Sequence, residues 1–210
     1  MNNFFDKIFC LNLESRQDRW EKSCQEFLKH NIHAERIYGV DGRKCNTTNL
    51  KISKGAFGCL LSQFFVLKYA QHLGLKNFLF LEDDIEFDED AINIFNTIKN
   101  QIPPDWDMLY LGGNHYIGQN LKKINKHIYQ CESTLSAHAV GFNSKVFEKI
   151  LYQITNTNYA VDEHYASLHK DIKAYVIIPH IAWQKAGYSN IEEEYIDYAF
   201  LKNHTYEEFN

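Results

Sequence analysis

Residues Phe78-Leu79-Phe80-Leu81 form an unbroken apolar run that ends in three consecutive carboxylates, Glu82-Asp83-Asp84. Successive side chains of an extended strand point to opposite faces, so four large apolar residues in a row need cover on both sides. Such a strand belongs in the middle of a sheet sandwiched between helices. The rest of the chain repeats the theme. Apolar runs over 5–13, 34–38, 107–111, 127–131, 137–142 and 175–178 read as strands. Between them, helical spacing is expected after an N-cap at Ser15 with a stop near Asn31, and over 55–73, 89–101 and 144–154. Residues 114–126 read as a polar loop, and the acidic, aromatic tail from Glu192 as a docked helix. Strands alternating with helices predict an α/β fold, a single domain with a mainly parallel central sheet and helices on both faces. Ligands of such sheets bind beyond the carboxyl ends of the strands. That rule singles out Asn12, the acidic triplet and Gly112-Gly113.

Two hundred and ten residues suit one core. A formal charge of -5 and the lack of a Lys/Arg stripe argue against nucleic acid as a partner. No apolar run reaches the length of a membrane span, and the first residues lack the basic and apolar regions of a signal peptide. Cys10, Cys24, Cys45, Cys59 and Cys131 make an odd count without a C-x-x-C pair, which favours a reducing, cytoplasmic setting. The acceptor-like triplets Asn46-Thr47-Thr48 and Asn203-His204-Thr205 would then carry no glycan.

Three adjacent carboxylates repel one another unless a cation or bulk water compensates. A hard divalent ion, Mn²⁺ or Mg²⁺, would neutralise them and keep positions open for phosphate oxygens. Alternation along extended backbone puts Glu82 and Asp84 on one side as the metal-facing pair, and leaves Asp83 for ribose or backbone. The bland alternative is a solvated acidic turn. A calcium loop starting at Asp84 fails, because its sixth position would be Glu89 and its twelfth Phe95.

Several segments together resemble glycosyltransferase family 25, the lipopolysaccharide and procollagen galactosyltransferase group. They are Ile8-Phe9-Cys10-Leu11-Asn12-Leu13 with Arg16-Gln17-Asp18-Arg19, Tyr38-Gly39-Val40-Asp41-Gly42, Lys54 through Ser62, and Phe80 through Ile85. Fainter echoes follow at Trp106 through Gly112, Ala139 through Phe142, Val161-Asp162 and Ser189-Asn190-Ile191. Two positions depart from the family's usual pattern: Gln63 stands after Ser62 where a histidine is usual, and Asn190 where an aspartate is usual.

The resemblance implies a GT-A (Rossmann-like) fold, with residues 1–111 as the nucleotide-sugar donor half and 112–210 as the acceptor half. It implies a UDP-sugar donor, a glycan or glycoprotein acceptor, and inversion at the anomeric carbon. Asn12 and Leu13 would lie near the base. Arg16 and Arg19, near a helix amino end, would meet the diphosphate. Asp41 would bind ribose hydroxyls, and Ser62 would line the donor site, although a back-bond within its own helix is the ordinary reading. Asp162 is expected as the base that takes the acceptor proton, with Glu163 second; helix capping is the competing explanation. His180 is expected as a late metal ligand. Gly112 and Gly113 would let a sugar approach the backbone. Tyr110, Tyr116 and Trp183 are candidate sugar-stacking rings. Two rivals stand beside this reading. A metal-dependent phosphoesterase lacks its further ligand motifs, whereas a non-catalytic nucleotide-sugar or carbohydrate module would keep the fold without turnover.

Overall fold

A computed structural model describes residues 1–46, 50–115, 121–191 and 193–203. In chain order the strands are β1 (Lys7–Asn12), β2 (Glu35–Tyr38), β3 (Asn77–Glu82), β4 (Ile85–Phe87), β5 (Met108–Tyr110), β6 (Asn114–His115) and β7 (Lys122–Lys123). They continue with β8 (Ile128–Gln130), β9 (Thr134–Leu135), β10 (Ala139–Asn143), β11 (Ala174–Ile177), β12 (Ala182–Gln184), β13 (Gly187–Tyr188) and β14 (Tyr195–Ile196). The helices are α1 (Gln17–Lys29), α2 (Lys54–His72), α3 (Ala91–Ile98), α4 (Ser144–Gln153) and α5 (Val161–Leu168). Among the described residues no helix is long and apolar enough to cross a membrane.

Eight strands form the central sheet in the order β2-β1-β3-β10-β5-β11-β8-β7. Its directions are mainly parallel, with β10 and β8 reversed. β10, from the second half of the chain, inserts between β3 and β5 of the first, so both halves build one sheet. The apolar run of β3 sits near the centre, as its two-faced pattern requires. Phe78 and Phe80 enter a core with Leu60 and Leu67 of α2, Ile150 of α4 and Tyr165 of α5. Leu79 and Leu81 enter the opposite core with Phe27 of α1 and Phe95 of α3. Each fully buried Phe contributes roughly 1.5–3 kcal/mol.

Local signals set most boundaries. The Ser53 hydroxyl accepts from the Ala56 amide and caps α2, and Gly74 leaves that helix at φ +66. Asn31 takes φ 50 just past α1, where Asn tolerates the left-handed region. Ser15 is not the cap of α1: Arg16 holds that position, without a side-chain hydrogen bond. Residues 114–126, expected as a loop, include the short strands β6 and β7. In the tail, β14 and a short 3-10 turn over Ala199–Asn203 stand in place of the expected helix, and Leu201 is buried there.

Candidate active site

The carboxyl ends of β1 and β3, the loop after β2, the start of α2, the start of α5 and the segment after β12 enclose a cleft of about 560 Å³. Ten of the expected residues line it: Asn12, Leu13, Arg16, Arg19, Asp41, Ser62, Glu82, Asp83, Asp84 and Asp162.

The acids divide by partner. Asp83 is held from two sides: Asn12 Nδ2 donates to its Oδ2 at 2.5 Å, and Arg19 to its Oδ1 at 2.8 Å. Asn12 is 1 % exposed, and its amide also donates to the Arg16 carbonyl and accepts from Arg36. Arg19 reaches Asp84 Oδ2 at 3.3 Å and the Tyr188 carbonyl as well. Asn12 and Arg19, expected on the nucleotide, and Asp83, expected on ribose or backbone, line the cleft and stitch β1, α1 and β3 into its floor.

Glu82 and Asp84 are left facing the cavity. Continuing the alternation of β3, Glu82 lies on the Phe80 side, toward α2 and α5. Burial pushes its carboxyl well above the usual range, and Asp84, Asp83 and Asp162 add to the shift while Arg19 opposes it. Burial also raises Asp84 to about 6, opposed by Arg19 and reinforced by Asp83. Among the described residues Asp84 Oδ1 is buried and has no hydrogen-bond partner. A carboxylate pair with raised proton affinity and an unsatisfied oxygen fits a divalent cation, which would replace the missing partner and lower the repulsion. Among the described residues no group of three His, Cys, Asp or Glu side chains is arranged to hold a metal. An ion here would therefore complete its shell with ligand oxygens or water, as Mg²⁺ sites commonly do.

Asp41 lines the cleft with both oxygens already engaged by Arg43, which holds its carboxyl below the usual range. Arg16 pairs with Asp18 and donates to Asn190 Oδ1 at 2.7 Å. Ser62 makes the expected back-bond, to the Gly58 carbonyl at 2.6 Å, and also accepts from the Val40 amide at 2.8 Å. It thereby ties the loop after β2 to α2. Gln63 points into the core and accepts from the Tyr165 hydroxyl at 2.5 Å, joining α2 to α5.

Asp162 sits in the first turn of α5 at the cleft wall. Its Oδ2 accepts from the Ser136 amide at 3.1 Å and its Oδ1 from the Glu163 amide at 3.0 Å. Glu163 is exposed and does not line the cleft; its carboxylate accepts from the Ala160 amide at 2.7 Å, a helix-capping role.

Five further residues stand elsewhere than expected. His180 is 3 % exposed and outside the cleft lining, with Nδ1 on the Leu201 carbonyl and Nε2 on His115, so it stands apart from the cleft that Glu82 and Asp84 line. Gly112 and Gly113 approach protein backbone and side chain, not a sugar. A Cβ on Gly112 would lie 2.0 Å from the Ala182 carbonyl oxygen, and one on Gly113 2.6 Å from Thr134 Cγ2. Tyr110 is buried with its hydroxyl on His169, and Trp183 is buried beneath the Lys202 ammonium, so neither ring is open to a sugar. Tyr116 lies outside the described residues.

Gln184 was not anticipated. It lines the cleft and donates to Glu82 Oε2 at 3.2 Å, positioned by the pairing of β12 with β4. The three-residue run Ala-Trp-Gln carries no motif that could have flagged it. The pairing depends on Gly112. Gly112→Ala should cost about 1–3 kcal/mol or more, because a new methyl must displace backbone and not a side chain. Chemical denaturation of the variant checks this; a loss below about 0.5 kcal/mol would mean that β12 has room to move.

The sequence model of glycosyltransferase family 25 (LPS biosynthesis protein) matches residues 5–200. The chain belongs to this family. Among its relatives, procollagen galactosyltransferase 2 of Mus musculus is 28 % identical over 129 residues, covering 51 % of this chain and 21 % of that protein. A glycosyltransferase 25 family member of Drosophila melanogaster is 30 % identical over 129 residues, again covering 51 % and 21 %. The "Probable inactive glycosyltransferase 25 family member 3" of Bos taurus is 24 % identical, covering 51 % of this chain and 22 % of its own. The chain thus spans about a fifth of the length of the curated relatives it matches. Among solved structures, A197 from STIV aligns with a TM-score of 0.48 at 12 % identity, covering 91 % of this chain and 92 % of A197. A glycosyltransferase involved in glycosylation of the major capsid of PBCV-1 aligns with a TM-score of 0.45 at 6 % identity, covering 82 % and 93 %. At such distances neither likeness speaks to chemistry.

Proposed function

We infer that this chain is a metal-dependent hexosyltransferase that moves galactose or glucose from a UDP-sugar to a glycan or glycoprotein acceptor, with inversion. The observation that carries the reading is the pair Glu82 and Asp84 at the cleft floor, with a buried Asp84 oxygen that lacks a partner. Membership of family 25 supports the reaction class, and the galactosyltransferase names of several relatives support the sugar. Mn²⁺ or Mg²⁺ held by Glu82 and Asp84 would stabilise the charge that develops on the departing nucleoside diphosphate.

The chain's own residues do the rest. Asn12, Arg19 and Asp83 fix the floor, so that Glu82 and Asp84 keep their orientation without reorganising. Gln184 steadies Glu82. Across the cleft, Asp162 is the base: two backbone amides orient its carboxylate, and it takes the acceptor hydroxyl's proton as the new glycosidic bond forms.

Thermal shift and UDP release with UDP-galactose and UDP-glucose, with and without Mn²⁺, test this. A donor that binds the native state raises its melting point, and slow UDP release is expected even without acceptor. A second reading, a binding module without turnover, is favoured by the likeness to the bovine protein of inactive name; it would give a shift without release. Cleavage of model phosphoesters would favour a phosphoesterase instead.

A pH dependence follows from Asp84. Both metal-facing carboxylates must be ionised, so Mn²⁺ affinity should rise with pH through about 6, where Asp84 titrates, and the raised Glu82 carboxyl should extend that rise. Stability without metal should move the other way. The folded carboxyl holds its proton more tightly than the ordinary value of 3.8, so this contribution is full below about pH 4 and lost as pH rises through about 6. Metal titrations at several pH values check the slope. A flat profile between pH 5 and 7 would remove Asp84 from the binding step.

A further inference from the structure

A second recess, of about 360 Å³, opens beside the cleft and shares Arg16, Arg43 and Asn190 with it. Ser15, Tyr188 and Glu193 complete its lining. Tyr188 belongs to the β13–β14 hairpin and lies directly opposite Tyr195. Residues opposite each other in an antiparallel pair project from the same face, so the two rings are neighbours. They are 53 % and 70 % exposed. Ile196, from the alternate position, lines the cleft instead. The hairpin therefore shows an aliphatic side chain to the cleft and a pair of tyrosines on its other face.

The hairpin is held in this position by several contacts. Arg19 donates to the Tyr188 carbonyl, Arg16 to the Asn190 side chain, and the Ser53 hydroxyl to the Ile191 carbonyl. Gly55 leaves no space for a Cβ against the Asn190 and Ile191 backbone. The tyrosines are thus presented on a braced support, in which Tyr188 takes part through its main-chain carbonyl.

The charges of the recess indicate what it takes. Arg16 is paired with Asp18 and Arg43 with Asp41, and Glu193 adds a carboxylate. That balance disfavours a phosphate. It offers planar amide, guanidinium and carboxylate groups beside exposed aromatic faces. A pyranose ring answers both features, because its C–H face packs on an aromatic ring while its hydroxyls meet planar donors and acceptors. We propose that the recess and the Tyr188–Tyr195 pair form a subsite for a neutral saccharide unit of the acceptor glycan, adjoining the donor cleft. The proposal rests on the glycosyltransferase reading for the word acceptor, but not for saccharide binding itself.

Saturation-transfer NMR on the intact chain, with galactose- and glucose-terminated di- and trisaccharides and neither donor nor metal, tests it. Saturation transfer to the saccharides is expected from the parent protein and from Tyr188→Phe, which keeps the ring, and a loss of at least tenfold in affinity for the Tyr188→Ala/Tyr195→Ala double variant. UDP release without acceptor should stay within twofold in that variant. No transfer to any saccharide of the panel, or equal transfer from parent and double variant, overturns the subsite. Loss of UDP release in the folded double variant overturns it too, by assigning the rings to the donor. A parent that binds saccharides through these rings but releases no UDP from any nucleotide sugar would instead overturn the transferase reading and leave the subsite standing.

Discussion

Asp84→Ala is expected to lower nucleotide-sugar turnover by at least about 10³-fold and to erase the Mn²⁺-dependent rise in melting temperature. Asp84 presents a buried oxygen with no partner beside Glu82, and its other oxygen meets Arg19 at 3.3 Å. Removing the carboxylate leaves Glu82 alone, with Gln184 as its neighbour and no second anionic ligand on the floor. Arg19 keeps Asp83 as its closer partner, so the floor itself should survive. Because burial makes the ionised Asp84 carboxylate unfavourable in the folded protein, the variant without metal should melt at the same temperature as the parent or slightly above it. A general loss of fold would lower that melting point, which separates the two explanations. Parent-like turnover in Asp84→Ala would end the metal assignment.

Asp162→Asn should reduce kcat for transfer by about 10²–10⁴-fold while leaving the donor KM within about threefold. An asparagine keeps the shape and can still accept from the Ser136 amide while giving up the bond from the Glu163 amide, so the tie across the cleft wall is preserved. What it cannot do is take the acceptor's proton. Glu163→Gln is the matched control: its side chain caps α5 outside the cleft, so transfer should change by less than twofold. If Glu163→Gln were the damaging change and Asp162→Asn the silent one, the base would have to be sought elsewhere on the wall.

These roles differ in how far residue order alone could assign them. The apolar run ending in Glu82-Asp83-Asp84 was sufficient to predict a central strand with acids at its carboxyl end, and cover on both faces follows from its alternation. The order of motifs through residue 85 pointed to family 25 because those segments are contiguous, each within a strand end, a turn or one helix. The end of α2 at Gly74, just past the expected 55–73, has an equally local cause, whereas the cap at Ser53 came from the structure.

His180 and Gly112 show the opposite case. A histidine near a strand end and a pair of glycines are compatible with a ligand, but their surroundings come from distant segments. His115 and Leu201 satisfy the His180 ring, and the Ala182 backbone fills the space over Gly112. Gln184 became a neighbour of Glu82 only because β12 pairs with β4 across nearly a hundred residues of chain. The division of labour within the acidic triplet has the same origin: Asn12 and Arg19 arrive from β1 and α1 to engage Asp83, which leaves Glu82 and Asp84 facing the cavity. Periodicity and turn chemistry act over a few residues and are written in the local order of side chains. Hydrogen-bond satisfaction and close packing join residues far apart in the chain, so they emerge only when the sheet is assembled.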